Sequence, residues 1–195
     1  MRLPLLLDMV ADAFGDRVLV GPREGGLTAA ELRARVDTAA ADLIASGADS
    51  VVYLALNGPA LPVALFAAAR AGLPLVPVNY RLGKEQLDAL LTNHPKAFGI
   101  AEGAEAEAAL DRAGISHTNP ADWLAGLPLR PADAPVPLDE DAPAVVIYTS
   151  GTTSAPKGVL LRHANLVSYV LGTVEFGSAD EADAALVSVP PYHIA

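Results

Sequence analysis

Cysteine is absent from this sequence, and aromatic residues make up only 5% of it. Without a thiol there is no disulfide, no thiolate nucleophile and no cysteine-based zinc site. The lack of disulfides fits a cytoplasmic setting. With few aromatics, the core has to be built from Leu, Val and Ala. Basic charge is scarce as well: 13 Lys and Arg stand against 23 Asp and Glu, for a net charge of −10. Binding a phosphate backbone needs clustered Lys and Arg, so nucleic acid is not an expected partner, and neither is an anionic lipid surface. Any phosphate ligand has to be held by a local device rather than by the overall field. Long apolar runs are missing too. Asp8 and Asp12 interrupt the Leu-rich start before it reaches the length of a signal core. No stretch of about 18 apolar residues occurs, so stable membrane insertion is not expected.

What is present is apolar: 52% of the 195 residues are hydrophobic and 18% charged. That is the opposite of a disordered composition, and it suffices for one sizeable core. Leu32, Val36, Ala40 and Leu43 recur at helical spacing. Thr28 and Glu31 offer a capping box ahead of them, and Gly47 a stop behind them. From there, short apolar runs alternate with helical stretches. Strands are expected at 51–55, 75–78 and 97–101, with a weak one at 115–118. Helices are expected at 28–45, 59–71, 84–92 and 104–112. This alternation predicts an α/β fold with a mostly parallel sheet flanked by helices and right-handed crossovers. Uniformly apolar strands are what a sheet covered on both faces requires.

Pro128, Pro131, Pro135, Pro137 and Pro143 then punctuate a segment of little periodicity. It reads either as a crossing loop within one domain or as a boundary. Taken as a boundary, it divides the chain into a first α/β subdomain over 1–126, a Pro-rich connection over 127–143, and the start of a second subdomain over 144–195. The second part is expected to begin another sheet, with strands at 144–148, 158–161 and 185–189 and a helix from Ala164 to about Glu175. Trp123 is expected to anchor the stretch before the connection on the core. The last residues, Pro190 to Ala195, follow an apolar strand with no polar tail, so the chain reads as cut rather than finished. An apolar face left open in that way predicts self-association.

The segment that carries chemistry runs from Tyr148 to Val159: Tyr-Thr-Ser-Gly-Thr-Thr-Ser-Ala-Pro-Lys-Gly-Val. Hydroxyl residues, two glycines and one lysine sit between two apolar strands. Gly151 permits close backbone approach. Successive backbone N–H groups and hydroxyls can ring an anion, and Lys157 adds the one positive charge in a long acidic stretch. Such a loop suits a polyphosphate, although Gly, Ser, Thr and Pro are also ordinary residues of a polar hairpin turn. The Walker pattern does not fit, because no Gly-Lys-Ser/Thr occurs and a strand follows Lys157. His94, His117 and His163 lack metal-ligand spacing and read as surface or turn residues. No metal site is expected from them.

The same segment resembles the phosphate-binding signature of the adenylate-forming superfamily of acyl-CoA synthetases and AMP-dependent ligases, roughly Tyr-Thr-Ser-Gly-Thr-Thr-Gly-x-Pro-Lys-Gly-Val. Ser154 is the one departure, where the family has Gly. Three further stretches resemble the family in the same order: Leu27 to Leu32, Ala69 to Leu82 and Pro190 to Ala195. The last is similar to the Pro-x-x-His motif bordering the acyl pocket.

The resemblance implies an ATP-dependent ligase that activates a carboxylic acid as its acyl-adenylate and passes it to coenzyme A, commonly with Mg²⁺. It sets this chemistry among the reactions of fatty acid metabolism. It implies phosphate contacts from Thr149, Ser150, Gly151, Thr152, Thr153 and Lys157, and catalytic roles for Lys157 and His193. His193 would lie beside the substrate carboxylate and the α-phosphate. The adenine-binding segment, ribose-binding aspartate, hinge and C-terminal lysine of that family fall beyond residue 195, so the 195-residue chain alone is expected to be inactive. Two alternatives stay open. One is an adenylation domain that loads a carrier protein, against which Asn79-Tyr80 argues. The other is a non-catalytic α/β module, which Ser154 favours.

Overall fold

Pro4 sits in the first turn of α1 (Leu3–Ala13), where its missing N–H costs nothing. Leu3, Leu7 and Ala11 make one buried face of that helix. The computed structural model describes residues 1–129, 139, 141–149, 157–180 and 183–193. After α1, a small antiparallel pair, β1 (Val18–Val20) and β2 (Leu27–Thr28), leads into α2 (Ala29–Ser46). The capping box forms as expected: Glu31 N donates to Thr28 Oγ1 at 3.2 Å, and Thr28 N donates to Glu31 Oε2 at 2.9 Å. Gly47, at φ 71°, ends the helix in the left-handed region that favours glycine.

The alternation then follows the expected order: β3 (Ser50–Leu54), α3 (Ala60–Ala71), β4 (Leu75–Pro77), α4 (Lys84–Leu91), β5 (Ala97–Ala101), α5 (Ala104–Ala113) and β6 (His117–Thr118). A short α6 (Pro120–Gly126) carries Trp123, which is buried in the core and anchors its stretch as anticipated. β7 (Pro143–Thr149), β8 (Lys157–Arg162) and α7 (His163–Thr173) complete the elements among the described residues.

The main sheet has the order β6-β5-β3-β4-β7-β8. Its strands run parallel except β8, which pairs antiparallel with β7. Side chains alternate across it. Val51 and Tyr53 of β3 enter a core shared with α1, α2, α3 and α6, while Val52 and Leu54 enter a second core shared with α4 and α5. Helices therefore cover both faces, which explains why β3 is buried at every residue.

Two expectations are corrected. The strands after the Pro-rich segment do not begin another sheet: β7 lies parallel beside β4, with Val145 opposite Leu75. Burial decides this. Val145 and Ile147 join the first core and Val146 the second, so both faces of β7 are covered by helices already in place. A separate sheet would leave one of those faces open. Residues 185–189 are likewise not a strand. The carbonyls of Val187 and Val189 accept from Asn57 Nδ2 at 3.1 and 2.8 Å, and Leu186 is 92% exposed. A strand needs a ladder partner, and among the described residues none pairs with this segment.

The topology positions a crevice. β3 and β4 are neighbours, yet the helix after β3 lies on the α2 side and the helix after β4 on the α5 side. Strands whose outgoing connections leave to opposite faces open a cleft at their carboxyl ends, where open α/β sheets bind ligands.

Candidate functional site

β7 is held by burial from Ala144 to Ile147, and β8 hangs on it through successive pairs that end at Tyr148 with Gly158 and Thr149 with Lys157. Thr149 and Lys157 are both exposed, at the mouth of the hairpin on the carboxyl edge of the sheet. Thr149 Oγ1 donates to the Lys157 carbonyl at 3.5 Å. A hydroxyl and an ammonium group thus leave the protein from the same end of one rigid strand pair. Ser150, Gly151, Thr152, Thr153 and Ser154 lie outside the described residues.

His193 sits elsewhere on the same edge. It is exposed, its N–H donates to Pro190 O at 3.0 Å, and its ring centroid lies 4.7 Å from that of Tyr192. Tyr192 is buried, and its ring meets Tyr80 edge-on at 5.2 Å. Arg81 lies 5.8 Å from the Tyr80 ring centroid. Together with the Asn57 contacts to Val187 and Val189, this ties residues 187–193 to the segments that follow β3 and β4. Tyr53 steadies the floor. Its hydroxyl donates to Leu56 O at 3.0 Å, and burial, helped by the Glu102 charge, pushes its pKa up to about 12, so it stays a donor. Among the described residues no hydrogen bond or ion pair joins His193 to Thr149 or Lys157. The fold brings the two expected catalytic residues to one edge on different strands' ends.

One histidine, His163, is not where the spacing argument put it, while His94 and His117 are turn and surface residues as expected. His163 is 1% exposed. It opens α7, and its Nδ1 accepts from the backbone N–H of Leu3 at 3.4 Å, tying α7 to α1. Burial, with Arg2 nearby, holds it below its ordinary pKa of 6.5. His94 is half-buried in the turn after α4, where its Nε2 shares a 2.8 Å hydrogen bond with the Tyr148 hydroxyl. Burial lowers its pKa too, against the pull of Asp49. His117 does lie at the surface beside Asp111, 3.1 Å away. The reading from sequence missed His94 and Tyr148 because their pairing spans 54 residues and has no local pattern. No group of three or more His, Cys, Asp or Glu that could hold a metal exists among the described residues. No helix among them is long and apolar enough to cross a membrane.

The family model described as "AMP-binding enzyme" matches residues 7–195. Feruloyl-CoA synthase of Amycolatopsis sp is 39% identical over 180 residues, covering 89% of this chain and 36% of that protein. Indoleacetate–CoA ligase of Aromatoleum aromaticum is 31% identical over 188 residues, covering 88% and 37%. Among solved structures, o-succinylbenzoate CoA synthetase (MenE) from Bacillus subtilis, in complex with the acyl-adenylate intermediate OSB-AMP, superposes with a TM-score of 0.75. It is 22% identical and covers 99% of this chain and 50% of that one, a likeness of fold. ATP-bound MatB from Rhodopseudomonas palustris gives a TM-score of 0.68 at 25% identity, covering 88% and 37%. The chain thus spans a little over a third of the length of these curated relatives.

Proposed function

The chain belongs to the AMP-binding enzyme family, and on that premise we propose that it supplies the phosphate-gripping part of an ATP-dependent acyl-CoA ligase. The reaction is activation of a carboxylic acid as its acyl-adenylate, followed by transfer to coenzyme A. The observation that carries this reading is the β7–β8 hairpin, which sets Thr149 and Lys157 opposite one another at the carboxyl edge.

Each residue has a chemical task. The ammonium of the exposed Lys157, paired in register with Thr149, neutralises phosphate charge as it builds on the leaving side. Thr149 turns its one hydroxyl proton from the Lys157 carbonyl to a phosphate oxygen. Ser150, Gly151, Thr152 and Thr153 extend the grip with hydroxyls and backbone N–H groups. His193 approaches the substrate carboxylate from the tail tied to the segments that follow β3 and β4. An exposed cation and hydroxyl on a rigid stem fit a polyphosphate. Among the described residues no carboxylate cluster could hold Mg²⁺. When bound, Mg²⁺ would supply charge neutralisation on the phosphates.

Asn79-Tyr80 after β4 supports coenzyme A over a carrier protein as acceptor. Ferulate and indoleacetate, in the names of two relatives, are aromatic acids. They support an aromatic carboxylic acid as substrate, and a fatty-acid setting gains nothing from them. The test is isotope exchange between ATP and pyrophosphate by the full-length protein, offered ferulate, indoleacetate and a long-chain fatty acid. Exchange that requires a carboxylate, with the thioester appearing on addition of coenzyme A, is the expected result. Absence of acid-dependent exchange with any of the three contradicts the reading.

A further inference from the structure

Tyr148 lies one residue inside the Thr149–Lys157 pair and touches both stems of the hairpin. It pairs in register with Gly158. A Cβ built on Gly158 would come within 3.6 Å of Tyr148 Cε1 and 3.7 Å of Cζ, so the tyrosine ring lies over the bare backbone of the opposite strand. From there the ring reaches down to the core between the sheet and α4 and α5. Its hydroxyl meets His94 Nε2 at 2.8 Å, with the two rings at 90° and their centroids 5.8 Å apart. His94 is itself held: its N–H donates to Leu91 O at 2.9 Å and its carbonyl accepts from Ala97 N at 3.1 Å. The turn between α4 and β5 thereby grips the base of a hairpin separated from β5 by two strands.

We propose that His94 is a positioning residue for the nucleotide-phosphate grip, acting through Tyr148 to fix the directions in which Thr149 and Lys157 leave the sheet. The inference rests on the reading of that hairpin as a phosphate grip. Its physical basis is leverage. Among the described residues β8 is the outer strand, with only β7 beside it, and most of its residues are exposed. Its end is therefore free to twist unless something ties it to the core. A ring laid across Gly158 and pinned at its far tip by a hydrogen bond is such a tie. Tyr148→Phe keeps the ring and removes its bonds to both His94 and the neighbouring Asn93 side chain, whereas His94→Ala removes only the first. Since the bond lost in His94→Ala is already lost in Tyr148→Phe, their effects should not add.

The experiment compares steady-state kinetics of the full-length protein with His94→Ala, Tyr148→Phe, the double variant and His94→Gln, which keeps a polar nitrogen near Nε2. Each single change is expected to raise the KM for ATP about tenfold, with the KM for the carboxylic acid unchanged. The double variant should be no worse than the worse single, and His94→Gln should restore at least half the loss. Additive effects, equal shifts in both KM values, or no shift would overturn the inference. Amide hydrogen exchange of the peptides flanking residues 149 and 157 supplies a second readout that needs no activity. Faster exchange there in His94→Ala, with peptides of α2 unchanged, supports the tie. Unchanged exchange, or a uniform rise in all peptides, overturns it. Lack of acid-dependent exchange in the unmodified protein would instead refute the functional reading, and hydrogen exchange would still decide whether the tie exists.

Discussion

Thr149 and Lys157 face each other across the last described pair of the β7–β8 hairpin, with the Thr149 hydroxyl 3.5 Å from the Lys157 carbonyl oxygen. The pairing gives both side chains a common origin on the edge of the sheet. It joins a cation to a hydrogen-bond donor without requiring either to be buried on folding, so the empty site carries no buried, unpaired charge. The hairpin owes its rigidity to the buried half of β7 and lends it to the exposed half of β8.

Gly99 in β5 should tolerate no side chain. A Cβ there would come within 2.6 Å of Leu110 Cδ1 and 2.9 Å of His117 Cβ. Gly99→Ala is expected to destabilise the fold by about 1–3 kcal/mol, the usual cost of overpacking. Gly58→Ala, where nothing lies within 4 Å of the new methyl, should be close to neutral. Urea unfolding of both variants checks the contrast, and equal stabilities would contradict it.

Arg70 on α3 bridges α1 and α2. It pairs with Asp8 and, at 2.9 Å, with Asp37, and its side chain is 12% exposed. Arg70→Met removes the cation from between two carboxylates, and breaking such a pair from one side costs about 3–5 kcal/mol. Adding Asp37→Leu should recover a large part of that loss, because no buried charge is then left over at that position. Thermal unfolding of the single and double variants decides it. A double variant less stable than Arg70→Met would contradict the account.

Acid should weaken the fold before the carboxylates titrate. His163 is buried and its pKa lies below the ordinary 6.5. The unfolded chain therefore binds a proton at a higher pH than the native one. The stability this group contributes is complete above its unfolded pKa and is lost as pH falls toward its folded one. His94 acts in the same direction. Unfolding free energy should fall from pH 7.5 to pH 5.5, and His163→Asn should flatten part of that slope. Stability that rises on acidification across this window would contradict the assignment.

The sequence was most readable where the physics is local. Thr28, Glu31 and Gly47 mark both ends of α2 because caps act within one turn. β3, β4 and β5 were legible as short apolar runs. α1 was missed because Asp8 and Asp12 were read only as interruptions of an apolar run. The structure shows Leu3, Leu7 and Ala11 spaced along one buried helix face. β1 and β2 are too short, at three and two residues, to leave a period. Non-local pairing was not readable. Nothing in Val145 says that it sits opposite Leu75, so β7 was assigned to a new sheet. Leu186 and Val187 looked like a buried strand, yet the segment finds a side-chain amide, Asn57, where a strand would need a backbone ladder. For the site, the motif made Thr149 and Lys157 legible by resemblance. The support from His94 depends on the fold alone.

The most direct test of the account is the single-turnover rate of adenylate formation by the full-length protein with Lys157→Ala, at saturating ATP and carboxylic acid. Removing one positioned cation facing the phosphates should slow that step about 10- to 1000-fold. Lys157 is exposed at a hairpin mouth, so the melting temperature should not change. A variant that forms adenylate at the unmodified rate, with its fold intact, would contradict the claim that this hairpin grips the phosphates of ATP.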